Sequence, residues 1–225
     1  GRKRGHSFHR VMMRSAAKLS YQEAQAAIDG MPNDKTAPLV EPILKPLWSA
    51  YEILSAGRDA REPLDLDLPE RKILLKPDGT VDRVITPDRL DAHKLIEEFM
   101  IQANVCAAET CEKAGLTILY RIHDSPSQEK LTGLREFLST IQMSFPKTGN
   151  LRPSQFNGVL HKVRGSENVH LVNEVVLRSQ AQAEYSPHNI GHFGLNLKRY
   201  AHFTSPIRRY ADLVVHRALI RAGKL

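Results

Sequence analysis

A mixed α/β, helix-rich fold is what this sequence predicts, on three observations. Apolar residues recur at three- and four-residue spacing between Pro87 and Gly115, a span longer than ordinary strands reach. Two short apolar runs, Ile73–Leu75 and Val81–Ile85, flank the turn sequence Lys76-Pro-Asp-Gly79 and read as a hairpin. Three further stretches, Ser127–Ile141, Ser154–Val163 and Asn168–Ala183, carry helical periodicity behind residues suited to cap a helix. With 225 residues, 41% hydrophobic and 25% charged, the chain suffices for one ordinary globular core or a large part of one.

The remaining elements follow in order. Phe8, Arg10, Met12 and Arg14 alternate as a strand does, and the chain opens on Gly1-Arg-Lys-Arg without an initiator Met, as a piece of a longer protein would. Ser20 and Glu23 form a capping box for a short Ala-rich helix, Tyr21–Asp29, which Gly30 ends. A linker with Pro32, Asn33, Asp34 and Pro38 leads to a helix running from Pro42 to Gly57, and Leu64-Asp-Leu-Asp-Leu68 alternates as a strand. Thr86-Pro87 opens the longest helix, which runs to Ala114. Its stripe is Ala92, Ile96, Phe99, Ala103, Cys106 and Thr110, and Met100, Ile101 and Val105 add apolar surface off that stripe, so its middle is expected to be buried on more than one side. Thr117–Ile122 reads as a strand, and His192–Leu197 as a last strand before a helix that begins at Ser205.

Composition excludes several functions. No apolar stretch approaches the roughly 18–20 residues of a membrane span, and the basic N-terminus leads into no signal-type segment, so a soluble, cytoplasmic protein is expected. Cys106 and Cys111 lie five apart on the long helix and point to different faces, which argues against a disulfide. His188 and His192 have helical spacing, but Pro187 and Gly191 break any helix that would aim them at one metal. The formal charge of +7 is uneven. Arg2, Lys3, Arg4, Arg10, Arg14 and Lys18 crowd one end with no acid among them. Lys198, Arg199, Arg208, Arg209, Arg217, Arg221 and Lys224 crowd the other against only Glu184 and Asp212, around a mildly acidic centre. Folded side by side, two such ends line a groove for a polyanion; apart, they are two solvated basic faces.

The run from Tyr200 to Asp212 concentrates the chemistry. Ser205 is a good N-cap, Pro206 suits the first helical position, and Ile207, Ala211, Val214 and Ala218 recur behind them. First-turn N–H groups, the helix dipole, Arg208 and Arg209 would together make a phosphate site. Asp212, one turn on, is placed to pair with either arginine; a surface pair of that kind contributes only about 0–1 kcal/mol.

The wording YAHFTSPIRRYADLVVHRAL resembles the signature of the ribonuclease II/ribonuclease R family of processive 3′→5′ exoribonucleases, near the end of their RNB catalytic domain. NIGHFGLNLKRY, RSAAKLSYQEAQAAIDG and DAHKLIEEFMIQAN resemble other segments of that family in the same order, so the resemblance spans Arg14 to Leu219. It implies a partial RNB-type domain, residues 1–225, whose parent removes nucleoside 5′-monophosphates from the 3′ end of single-stranded RNA. It also implies Mg²⁺ held by an aspartate cluster that this chain does not contain, with cold-shock-type and S1-type domains to either side that are likewise absent from it. A catalytically inactive RNA-binding piece is the alternative.

Residue by residue, the resemblance makes Arg208 the phosphate-contacting catalytic arginine, with Ser205 and Arg209 beside it as RNA-binding residues. It makes Tyr21, first residue of its helix, a contact to the 3′-terminal nucleotide, where a stack is worth about 1–3 kcal/mol. Glu97 becomes the substrate-contacting member of the Glu97-Glu98 pair, facing a semi-buried cavity, with Glu98 in support. At Leu66 the family often has an aromatic that clamps the last bases, and this chain departs from it; Asp65 and Asp67 read as solvated or hairpin-supporting.

Overall fold

The computed structural model describes residues 3–69, 71–146 and 151–224. Ser20 Oγ accepts from the Glu23 N–H at 3.1 Å while Glu23 Oε2 accepts from the Ser20 N–H at 2.7 Å, the reciprocal box that starts α1, Tyr21–Ile28. Gly30, at φ +92°, turns the chain away from it. A single turn, α2 (Ala37–Leu39), runs through a π-helical stretch, Val40–Leu44, into α3, Lys45–Arg61. The helix thus begins before the expected Pro42: Pro42 and Pro46 each lack an N–H, and the ladder widens there instead of breaking.

The hairpin forms as predicted, β1 (Lys72–Leu75) against β2 (Val81–Ile85), with Ile73 opposite Val84 and Leu75 opposite Val81. The longest helix, α4, spans Asp91–Lys113 and stops at Ala114-Gly115 as expected, but it starts later than Thr86-Pro87. Its first free N–H groups find other acceptors: the Ala92 N–H donates to Gln25 Oε1 of α1 at 3.0 Å, and the Leu90 N–H to His93 Nδ1 at 3.2 Å. Its middle is buried on more than one side, as expected: Ala92 and Cys106 of the expected stripe are buried, and so are Leu95, Ile101, Asn104 and Ala108 off it, while Ile96 of that stripe is exposed.

β3 (Tyr120–Ile122) pairs antiparallel with β4 (Glu184–Ser186), a strand the sequence did not announce. Between them lie α5 (Gln128–Thr140), α6 (Pro153–Lys162) and α7 (Val169–Ser179), packed around Phe156, Leu134, Leu138, Val172 and Val176. The terminal helix α8, Tyr210–Gly223, lays Val215, Ala218 and Leu219 against Ala107, Ala108 and Cys111 of α4 and against β3. Cys106 and Cys111 are free, and burial pushes the Cys111 thiol up to about 11. Among the described residues no helix is long and apolar enough to cross a membrane.

Three expected strands are absent as ladders. Residues 64–68 are extended, but their backbone donates to Gly194 O, Asn157 Oδ1 and Asn173 Oδ1 at 2.8–2.9 Å instead of to another strand. Leu64 and Leu66 turn into the α5–α7 core, and Asp65 pairs with Arg164 at 3.2 Å. His192–Leu197 is a tight turn closed on itself by bonds between His192 and Leu197. Residues 8–14 run unpaired, with Phe8 packed edge-on against Phe203 at 5.3 Å and Met12 and Met13 in solvent.

Candidate nucleic-acid interface

One edge of α4 organises the candidate residues. His93, Glu97 and Asn104 fall within about 40° of one another around the helix, over a rise of about 16 Å. Each holds a different piece of chain. The Tyr21 ring stacks on His93 with centroids 4.0 Å apart, so the start of α1 presents a partly exposed aromatic face at the N-terminal end of that edge. Asn104, buried among apolar neighbours, donates to the Tyr200 hydroxyl at 2.9 Å and accepts the Phe203 N–H at 2.8 Å, suspending the segment that leads to Ser205 at the other end.

Glu97 lies between them. Its carboxylate is engaged by Arg89 and reached by Arg58 at 3.4 Å, and its side chain stays 38% exposed. Glu98 is the buried member of the pair at 6%, held by Arg58 at 2.7 Å. The expected cavity at Glu97 is therefore filled by two guanidiniums. Arg58, drawn in from α3 by both glutamates, instead lines a cavity of about 350 Å³ with Asp65, Asn157 and His161.

The helix does not begin at Ser205. Ser205–Arg208 is one isolated turn, closed by the Arg208 and Arg209 N–H groups on Ser205 O at 3.3 and 3.2 Å; Arg209 is then extended, and α8 starts at Tyr210. Asp212 is the cause. Its carboxylate has no exposed surface and accepts the Ser205 N–H at 2.7 Å and the Arg209 guanidinium through two bonds of 2.7 Å. Burial alone would raise its pKa, but the Arg209 bonds and the Ser205 N–H outweigh burial and hold it below the usual carboxylate value. The phosphate site expected from a Ser205 cap and first-turn N–H groups is thus not formed there, since no helix starts at Ser205, its N–H is taken by Asp212, and the Arg208 and Arg209 N–H groups are taken by Ser205 O.

What remains of that site is Arg208. Its neighbour Arg209 is locked by Asp212, while Arg208 is exposed and has no ion pair or hydrogen bond from its side chain among the described residues. Ile207 beside it is 98% exposed, so the turn projects outward from its anchor. His202 lies within reach of the charge of both arginines: the Tyr185 hydroxyl meets His202 Nδ1 at 2.7 Å, and burial, then the charge of Arg209, push the His202 imidazole down to about 4.

Leu66 is an aliphatic residue, partly buried against the α5–α7 core. The two ends of the chain do come together. His6 bonds Thr110 at 2.7 Å and Lys3 pairs with Glu109, so the N-terminal arm lies along the C-terminal half of α4 and shares a cavity with Ala222 of α8. Sequence reasoning missed Asn104, His93, His202 and Tyr185 as parts of the site; a lone Asn within the apolar run Ala103–Ala108 was the available signal for the first. Among the described residues no three His, Cys, Asp or Glu side chains gather as metal ligands, and Glu97, Glu98 and Asp212 already hold arginines. The set does not fit a Mg²⁺ ion.

Comparison with known proteins agrees with the motifs. The RNB domain family matches residues 1–224. Ribonuclease R of Aquifex aeolicus is 40% identical over 99% of this chain and 32% of its own length, and that of Escherichia coli 39% identical over 97% and 27%. The chain thus spans about a third or less of these relatives. Mycoplasma genitalium RNase R, solved with ribose-methylated single-stranded RNA, superimposes with a TM-score of 0.82 at 26% identity, over 90% of this chain and 32% of that one. The fold alone is shared with the yeast pseudonuclease Ssd1, at a TM-score of 0.62, 22% identity and 91% and 25% coverage. The chain belongs to the RNB domain family, the ribonuclease II/ribonuclease R family to which its motifs point.

Proposed function

We propose that this chain is the C-terminal part of the RNB catalytic domain of a cytoplasmic ribonuclease R-like exoribonuclease, which hydrolyses single-stranded RNA processively from its 3′ end to nucleoside 5′-monophosphates. The single observation that carries the reading is the unequal fate of two adjacent arginines. Asp212 takes Arg209 out of play and with it fixes the turn from which Arg208 projects, free to bind a phosphate. A planar fork held on a pinned turn can place two donors on a phosphoryl group without reorganising. Tyr21, with its ring set by His93, offers a stacking face for the terminal nucleotide, and Glu97, fixed by Arg58 and Arg89, an acceptor for a ribose hydroxyl. RNA as ligand is supported by the Mycoplasma genitalium RNase R structures, one solved with single-stranded and one with double-stranded RNA. In this reading Mg²⁺, which would activate water, is held by aspartates outside these residues. This chain binds and orients.

The test is Arg208→Lys against Arg208→Ala in the full-length enzyme. Lysine keeps the charge but loses the fork, so both should lower single-turnover cleavage by about 10²–10³-fold, the usual loss for one placed transition-state donor. RNA affinity should change far less. Near-normal cleavage by the lysine variant would show Arg208 to be only a basic residue in a channel.

A further inference from the structure

Tyr185 is oriented more firmly than a surface tyrosine requires. It lies on β4 directly opposite Arg121 of β3, whose guanidinium carbon sits 5.0 Å from the ring centroid. Its hydroxyl is fixed at 2.7 Å by His202, whose ring stands edge-on to Tyr185 at 5.5 Å and to Tyr200 at 5.7 Å. Tyr200 is a core residue at 8% exposure; Tyr185 keeps 40% of its surface open. The ring is therefore immobilised by a cation and by a hydrogen bond, yet presented to solvent.

The charge around it is unbalanced. Arg121, Arg208 and Arg209 all act on His202, and Asp212 is the one carboxylate that opposes them. Asp212 is already committed to Arg209. Arg121 and Arg208 have no carboxylate partner among the described residues; the Arg121 guanidinium lies over the open ring, and the charge of Arg208 reaches His202, which holds that ring by its hydroxyl. Fixed aromatic faces beside unpaired cations are how proteins hold single-stranded nucleic acid, base on ring and phosphate on cation.

We propose that Tyr185 is a stacking platform for an RNA nucleobase, with its ring set by His202 and Arg121 and an adjoining phosphate taken by Arg208. This rests on the phosphate-binding reading of Arg208 and adds a base contact at a residue separate from Tyr21.

The experiment uses the 225-residue chain and measures low-salt anisotropy with fluorescent single-stranded oligoadenylate and with an abasic strand of the same length, after circular dichroism has shown each variant folded. Tyr185→Leu should weaken oligoadenylate binding by about 5- to 100-fold, the range for one lost stack, and Tyr185→Phe should stay within about threefold of the parent. On the abasic strand Tyr185→Leu should bind as the parent does. Equal weakening on both strands would make Tyr185 a structural support and overturn the proposal. So would unchanged oligoadenylate binding by Tyr185→Leu while Arg208→Ala still weakens it, a result that leaves the phosphate site standing. If neither variant alters binding, the phosphate reading of Arg208 fails and the platform fails with it.

Discussion

A carboxylate without exposed surface that accepts three hydrogen bonds has no cheap way to change partners, and Asp212 is in that position. Replacing it by Asn keeps an acceptor for the Ser205 N–H but sets an amide donor against the Arg209 guanidinium and leaves that charge without its counter-ion. Breaking one side of a buried pair typically costs about 3–5 kcal/mol, so Asp212→Asn should lower the urea midpoint strongly, whereas Arg208→Ala, at an exposed and unpaired residue, should leave it nearly unchanged. A midpoint insensitive to Asp212→Asn would mean that this carboxylate does not hold the turn. The sequence showed that Asp212 could meet an arginine. It could not show which, because the choice depends on the extended backbone at Arg209, φ −132° and ψ 117°, and on a bond to Ser205 that ends the helix four residues short of the expected cap.

Elements whose signals are local were readable, and those decided by distant partners were not. The α1 capping box, the Gly115 stop and the β1–β2 register each depend on residues within a few positions. The segment 64–68 alternates as a strand and is extended, yet its backbone donors are taken by Asn157 and Asn173, which lie about 90–110 residues away and which no periodicity reveals. On α4 the apolar pattern announces burial on several sides but not which position is spared: Ala92 and Cys106 of the stripe are buried, and Ile96 between them is left in solvent by the tertiary packing. The hairpin shows the converse: it is locally well specified, but Ile73, Leu75, Val81 and Val84 all stay more than half exposed. An isolated two-stranded ribbon is marginal in water. In hydrogen exchange on the isolated chain, hairpin amides should exchange within about 100-fold of an unstructured peptide, while those of Ala107, Ala108 and Cys111 in α4 are the slowest. Hairpin amides as slow as α4 would show that the hairpin's apolar residues are covered in solution.

At the scale of the whole molecule, the turn His192–Leu197 joins the packed clusters, and two uncharged histidines hold it. Gly191 enters it at φ +82°, with its α-carbon so close to Leu197 that a β-carbon would lie 2.9 Å from that residue's carbonyl oxygen. Phe193 packs with the α5–α7 core, Leu195 and Leu197 with Ile101, Val105 and Tyr200, and the Gly194 carbonyl takes the Leu64 N–H. His123 ties the turn to β3: its Nδ1 accepts the Gly194 N–H at 2.8 Å and its Nε2 donates to Ala181 O at 2.9 Å, while His192 Nδ1 accepts the Leu195 N–H at 3.1 Å. Protonating either Nδ1 turns an acceptor into a donor facing a donor. Burial first, then neighbouring positive charge, brings His192 down from 6.5 to about 3, and burial lowers His123 as well. Because the folded pKa lies below the unfolded one, this stability is fully present above 6.5 and is lost as pH falls toward the folded value. His192 alone should contribute a loss of up to about 1.4 kcal/mol per pH unit within that window. Urea midpoints at pH 7.5, 6.5, 5.5 and 4.5 should therefore be flat over the first interval and then fall, well above the range in which carboxylates such as Asp212 are protonated. A midpoint unchanged down to pH 4.5 would show that the two imidazoles are not held neutral, and that the clusters are joined by packing alone.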